Sequence, residues 1–383
     1  GAESDILRPI VRELENASRL GVRLHVLALA VLFIFLAGDA AAGTYVVNRA
    51  DDIPPRGTGS TCITPASTDC TLREAVIKSN ANPGSVIQFA ASTNGIAITL
   101  TLANAGGVDE NAAATGDLDV TQDLTIQGNG ETNTIIQAGT NTSNGIDKVF
   151  GFNPNCDHAV SVSVDGVTIR FGRNSQPTSD PLFSFTGGGL DFCGFGSGSF
   201  TLTNSTVSDN TNVSAYGGGI NFDTVGASTG TITLTNVKIL RNRTLSTTFT
   251  ATGGGLNAFG EGYALNVTGT TFDANSADGT EGGGMYLRPT RHMVAAIHAS
   301  TFSNNAAGSR GGGLVFNSPG DASNPVQSLT IDQGSSFTAN TSGTRAGQAA
   351  EGGGIYVSLG NANSSFTLTK ATVTGNGFGA TSD

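Results

Sequence analysis

The stretch Gly282–Asn305, GGGMYLRPTRHMVAAIHASTFSNN, decides how this chain is read. It opens with three glycines and a short apolar run, Met285-Tyr286-Leu287. A variable segment leads into a second apolar run ending at Ile297, and the unit closes with Ser300-Thr301-Phe302-Ser303-Asn304-Asn305. The same plan occurs six times, with glycine triplets starting at Gly187, Gly217, Gly253, Gly282, Gly311 and Gly352. An apolar residue follows each triplet: Leu190, Ile220, Leu256, Met285, Leu314 and Ile355. The closing residues are Asn210, Asn242, Asn275, Asn305, Asn340 and Asn376. Three positions before each stands Val207, Ile239, Phe272, Phe302, Phe337 or Val373. Five positions further back stand Leu202, Leu234, Val267, Ile297 and Leu368, and the fifth unit carries one extra residue between Ile331 and Phe337. Fixed offsets at a period of roughly 30 to 40 residues mark a solenoid.

Residue types select the kind of solenoid. Apolar positions sit in short alternating runs, such as Thr231-Ile232-Thr233-Leu234-Thr235 and Phe366-Thr367-Leu368-Thr369. Period two with Thr, Val and Ile enrichment reads as strand, and the long Ala/Leu/Glu/Lys runs of helical repeats are missing. The expected fold is all-β, a right-handed parallel β-helix with a short N-terminal capping helix. Inward side chains then stack on their counterparts about 4.8 Å away in the next coil. The six asparagines form a structural ladder of stacked amides at one turn of each coil. The glycines supply positive φ for the turn into the next strand. Between 85 and 175, coils without glycine triplets are expected, with strands at Val86–Phe89, Ile96–Leu102, Leu118–Ile126, Thr134–Gln137, Val160–Val164 and Val167–Phe171. Asn129-Gly130 and Asp165-Gly166 are turn signals among them.

Composition agrees with this reading. Charged residues make up 13%, tryptophan is absent, and 54 of 383 residues are glycine. That is a poor basis for one compact core, but a solenoid buries its aliphatics locally, coil by coil. The net charge of −11 argues against nucleic acid or an anionic membrane surface as partner.

Residues 1–42 read as a secretory signal peptide. Arg8, Arg12, Arg19 and Arg23 precede the apolar run Leu24–Gly38, and Ala40-Ala41-Ala42 offers a small-residue cleavage site before Gly43. The run is short for spanning about 30 Å of hydrocarbon, so no membrane insertion of the mature chain is expected. Residues 43–84 form a cap. Gly43–Val47 is a first strand, and Cys62 and Cys70 bracket a loop that an exported chain would close as a disulfide. Thr71 with Glu74 makes a capping box for a helix whose apolar face is Leu72, Val76 and Ile77. Arg73 and Glu74 are expected to be solvated cap residues. Residues 85–383 make up the β-helix. Cys156 and Cys193, one coil apart, either bridge neighbouring coils or stack as small buried side chains; an oxidising compartment favours the bridge.

Cys70-Thr71-Leu72-Arg73-Glu74-Ala75 closely resembles the Cys-Ser-Leu-Arg-Glu-Ala motif that names a family of exported bacterial domains. The stretches GDLDVTQDLTIQGNGETNTIIQAG at 116–139 and GVTIRFGR at 166–173 are similar to the segments downstream of that motif in the family. The glycine-triplet units resemble the Gly-Gly-Ala-Ile and Phe-x-x-Asn repeats of polymorphic outer-membrane proteins. Phe272-Asp273-Ala274-Asn275, Phe302-Ser303-Asn304-Asn305 and Phe337-Thr338-Ala339-Asn340 match the second pattern outright, whereas glycine stands where that family often has alanine in the first. The resemblance spans Gly43 to the C-terminus. It implies a pectin-lyase-like β-helix, secreted or on a bacterial surface, often as an adhesin.

Candidates for chemistry are thin. A β-helix lyase or glycosidase needs acids converging on one exterior strand. Asp117 and Asp119 point the same way on one strand. Asp191 and Asp273 lie in different units at different positions, and Asp209 and Asp273 share a position just before a closing asparagine, without a nearby Arg or His. Arg291, His292 and His298 cluster in one insertion of the fourth unit. No catalytic, cofactor-binding or metal-binding residue is assigned. Asn-x-Ser/Thr strings at Asn204, Asn212, Asn242, Asn266 and Asn363 are expected by chance in so Asn- and Thr-rich a chain. The reading is a non-enzymatic, secreted or surface β-helix that is structural or adhesive and stacks end to end into a fibre. Its partners would be further copies of itself, surface glycans or other surface proteins. The alternatives are a polysaccharide-binding or polysaccharide-degrading enzyme, separable by whether three or more acids meet in an exterior groove, and an autotransporter passenger.

Overall fold

A computed structural model describes residues 42–56, 62, 69–104, 109–175, 187–213, 216–226, 228–245, 251–319, 326–360 and 362–379. The expected leader falls almost wholly in residues 1–41, outside this set. The described chain is an all-β solenoid of parallel stacked coils. Its strands form sheets of ten, nine, eight and seven strands among the described residues. Each coil contributes in turn to these sheets, so neighbours within a sheet are one coil apart in sequence.

Register follows the repeat. In the ten-stranded sheet Leu202, Leu234, Val267, Ile297, Ile331 and Leu368 are successive partners. In the nine-stranded sheet Phe272, Phe302 and Phe337 are partners, and their rings stack at 4.4 and 4.5 Å with interplanar angles of 5° and 8°. A one-residue slip would turn every inward side chain outward, so the alternating pattern pins the register. The stretch Leu118–Ile126, expected as one strand, is two: Leu118–Val120 lies in the eight-stranded sheet and Leu124–Gln127 in the ten-stranded one. The polar residues Thr121-Gln122-Asp123 turn the corner between them.

The closing asparagines make a continuous chain of amide hydrogen bonds. Nδ2 of Asn210, Asn242, Asn275, Asn305 and Asn340 donates to Oδ1 of the next asparagine at 2.8–3.1 Å. Each Oδ1 also accepts the backbone N–H of the preceding asparagine, so it carries two hydrogen bonds. The glycine triplets divide their labour. Only the first glycine of each triplet has positive φ, between 58° and 70°. The second and third are small because the coils approach too closely for a side chain. A Cβ on Gly189 would stand 2.7 Å from both Asn210 Nδ2 and Gly219 O.

The first coil is covered by helix α1, Leu72–Asn80, with Thr71 accepting from the Glu74 N–H in a complete capping box. Arg73 and Glu74 are not solvated, as the sequence suggested, but 1% and 2% exposed. Arg73 faces inward, where Asp52 and three backbone carbonyls supply acceptors for its donors. Glu74 is capped by Arg56. Disulfides join Cys62 to Cys70 within the cap and Cys156 to Cys193 between coils, with Cα separations of 4.7 and 5.4 Å. The last coil differs from those before it. Leu368 and Val373 are 40% and 44% exposed, whereas their register partners Ile331 and Phe337 are 0% exposed. No helix among the described residues is long and apolar enough to cross a membrane.

Candidate functional site

The eight-stranded sheet positions the chemistry. In its strand Leu190–Phe195, Leu190 and Phe192 enter the core, so Asp191 and Cys193 lie on the other face. Along that outer face one register row reads Asp119, Gly151, Asp191, Asn221, Asn257 and Tyr286. The row is polar yet covered: Asp119, Asn221 and Asn257 are at most 1% exposed. Polar side chains kept from water must find partners among themselves, and two groups form.

The first group gathers four aspartates around one lysine. Asp117 and Asp119 flank Leu118, which enters the core, so both carboxylates point outward from the same strand. The next coil brings Asp147 and Lys148 immediately before its strand Phe150–Phe152, and the loop leading to Asp117 adds Asp109. One oxygen from each of Asp109, Asp117 and Asp147 lies within 4.8 Å of the others. Lys148 Nζ is 2.9 Å from Asp109 Oδ2 and 3.2 Å from Asp117 Oδ2. Asp147 accepts from the Lys148 N–H and from Asn104 Nδ2, and Asp119 Oδ2 accepts from the Ala113 N–H. Both Asp117 oxygens, Asp109 Oδ1, Asp119 Oδ1 and Asn104 Oδ1 accept no hydrogen bond among the described residues. Burial, reinforced by Asp119, holds the Asp117 carboxyl well above the usual range; burial does the same to Asp119 and, less strongly, to Asp147. Burial alone would lower the Lys148 ammonium, but the surrounding carboxylates, Asp117 foremost, raise it well above its ordinary value.

The second group is a relay across three coils. Thr252 Oγ1 donates to Asn257 Oδ1, Asn257 Nδ2 to Asn221 Oδ1, and Asn221 Nδ2 to both Asp191 Oδ1 and Asp223 Oδ2 at 2.8 Å each. Asp223 is 8% exposed, and burial together with the Asp191 charge pushes its carboxyl up to about 8. The neighbouring Tyr263 hydroxyl is buried without a hydrogen-bond partner, and burial raises its pKa with Asp223 adding to the effect. A carboxyl that keeps its proton near neutrality beside a second carboxylate is suited to proton transfer.

The other sequence candidates do not assemble. Asp209 does have an arginine nearby: Arg241, one coil on, grips it through Nε and NH2 at 2.8 and 2.7 Å. Asp209 and Asp273 do not share a position, because Asp273 is in register with Leu240 and Ser208. Asp273 instead accepts from Ser303 and Asn304. His292 and His298 do not cluster, since strand Met293–His298 separates them; His298 pairs with Asp332 and Arg291 with Glu261. Asp109, Asp147, Lys148, Asn104 and Asp223 escaped the sequence reading. The one available signal was Asp147-Lys148 directly ahead of the apolar run Val149-Phe150, where a charged pair is out of place. The chain matches no protein-family model, no curated protein and no solved structure.

Proposed function

We propose that the chain is an extracellular structural or adhesive solenoid of a cell surface. The carrying observation is its pair of disulfides, one inside the N-terminal cap and one between neighbouring coils. Such bonds persist in oxidising compartments, which agrees with the leader-like segment ahead of Gly43. The stacked asparagines and phenylalanines suit a rigid element that must survive outside the cell. The motif resemblance to exported bacterial surface domains points the same way. Surface glycans are the proposed ligands. End-to-end association of the solenoid into a fibre is the proposed assembly. Binding of the purified chain to a glycan array tests the first part, and light scattering after size exclusion tests the second. Absence of any glycan binding, with a monomer at high concentration, would overturn the reading.

One observation favours a second reading, a polysaccharide-active enzyme. Asp191 and Asp223 share the Asn221 amide on an outer sheet face, one of them held protonated near neutrality. Two carboxyl groups in unlike protonation states are what acid–base cleavage of a glycosidic bond requires. Release of reducing ends or unsaturated sugars from acidic polysaccharides, lost in Asp223→Asn, would establish it.

A further inference from the structure

We propose that Asp109, Asp117, Asp119, Asp147 and Asn104 form a binding site for one divalent cation of the calcium class, which locks the N-terminal cap onto the first coils. The inference stands apart from the adhesive reading and rests on geometry. Four carboxylates face a single ammonium, Lys148, and three of the four are at most 1% exposed. One ammonium cannot compensate four carboxylates, and a buried uncompensated charge is costly, so the surplus is relieved by protons or by a bound cation. Among the described residues, five oxygens in the cluster accept no hydrogen bond: Asp109 Oδ1, Asp117 Oδ1 and Oδ2, Asp119 Oδ1 and Asn104 Oδ1.

Two further observations point to a ligand rather than to a mere crowd of acids. Asn104 is neutral, 8% exposed, and fixed by its Nδ2 bond to Asp147, yet its carbonyl oxygen has no donor. An amide oxygen kept from water without a donor is a cation ligand in waiting. Gly151 lies between Asp119 and Asp191 in the outward row and has no side chain to fill the space in front of it. A Cβ there would stand 2.8 Å from Asp117 Oδ2, 2.9 Å from Asp119 Oδ1 and 3.3 Å from Lys148 Cε, so two carboxylates and the lysine side chain meet over the glycine.

The donor set selects the ion. All ligands are oxygens, with no His or Cys among them. Oxygens held at about 2.3–2.6 Å from one calcium lie within about 5 Å of each other. The grouped oxygens of Asp109, Asp117 and Asp147 meet that bound at 4.8 Å. Calcium accepts six to eight oxygens in irregular geometry, whereas magnesium demands a near-ideal octahedron at about 2.0–2.1 Å. Lys148 Nζ reaches Asp109 Oδ2 and Asp117 Oδ2, which leaves Asp109 Oδ1, Asp117 Oδ1, Asp119 Oδ1 and Asn104 Oδ1 to face an added ion. Asp109, with 11% of its side chain exposed, gives the ion its way in.

The site also reaches the cap. Arg73 of α1 donates to the backbone carbonyls of Asp117, Gly116 and Ala113, the same loop that presents Asp117 and orients Asp119. An ion drawing Asp109 and Asp117 together with Asp147 therefore ties the loop to the following coil and holds the seat of Arg73.

The test is the metal content of the full chain as purified and after chelation, with calcium titration by calorimetry and thermal melts in calcium, magnesium or EDTA. The expected result is one calcium per chain and a melting point several degrees higher in calcium than in EDTA, with magnesium weaker. Asp109→Asn and Asp119→Asn should each weaken calcium binding at least tenfold. Lys148→Met removes the internal cation without touching a ligand and should enlarge the calcium-dependent part of the melting shift. No bound metal and a melting point indifferent to all three conditions would overturn the site. So would a calcium response undiminished in Asp109→Asn and Asp119→Asn, which would place the ion elsewhere.

Discussion

Arg73 and Asp52 face each other across the cap at 0% and 1% side-chain exposure, joined by Nε–Oδ1 and NH2–Oδ2 contacts of 2.6 and 3.0 Å. The pair sets the entrance of the solenoid. Asp52 Oδ2 also accepts the N–H groups of Thr101 and Leu102, so one carboxylate fastens the first coil to the helix that covers it. Removing one partner of such a pair strands the other. Arg73→Met should therefore destabilise the chain by about 3–5 kcal/mol, and Asp52→Asn by a comparable amount. The double variant should lose less than the sum of the two. Denaturant unfolding of the three variants checks this; strict additivity would mean that the two residues act independently.

Asn275 and Asn305 carry the middle of the ladder. Each is fully buried, and each amide bonds the asparagine one coil on and a backbone carbonyl one coil back. Replacing either with alanine leaves neighbouring buried groups without partners, and stability should fall by roughly 1–3 kcal/mol. Unchanged melting points in both variants would show that the stacked amides contribute nothing net.

Gly218 has ordinary negative φ, so its need for glycine is steric. An added Cβ would stand 2.5 Å from Arg243 C and 2.6 Å from Arg243 N. The nearest atom, Gly254 O of the adjoining coil, would stand at 2.3 Å, and all three neighbours are backbone. Gly218→Ala should cost at least about 1–3 kcal/mol, the usual penalty for overpacking. The same change at Gly334, where nothing lies within 4 Å, should owe its cost only to its φ of 82°. Equal losses at the two sites would contradict the steric account.

Asp223 makes stability depend on pH. Its carboxyl titrates at about 8 in the fold, raised by burial and Asp191, against an ordinary value of 3.8. Between those values the folded chain binds the proton more tightly than the unfolded one. The contribution is thus fully present below about pH 4 and is lost as pH rises through about 8. In Asp223→Asn that loss disappears, so the gap between wild type and variant should shift in the variant's favour from pH 5 to pH 9. Asp117, Asp119 and Asp147 titrate in both proteins and cancel in the difference. Parallel melting curves for the two proteins across that range would refute it.

The sequence by itself determined the solenoid. Glycine triplets, strand-period apolar residues and closing asparagines recur at fixed offsets, and each depends on its counterpart in the neighbouring unit. Local pattern and tertiary neighbour are therefore the same information, which is why Asn210 to Asn376 and Phe272, Phe302 and Phe337 could be identified before any coil was built. The Thr71–Glu74 capping box was legible for the same reason, since its hydrogen bonds span only three residues. The acidic cluster was not. Asp147 lies one turn of chain after Asp109 and Asp117, within segments that follow no repeat, and nothing in the sequence says that these turns stack. Whether Arg73 is solvated or buried is likewise undecided by the helix that carries it. Its fate depends on Asp52 and on the carbonyls of residues 113, 116 and 117, brought against it only when the first coils close. Burial of charge is a property of what packs on top of a residue, and in this chain only the tertiary structure decides that.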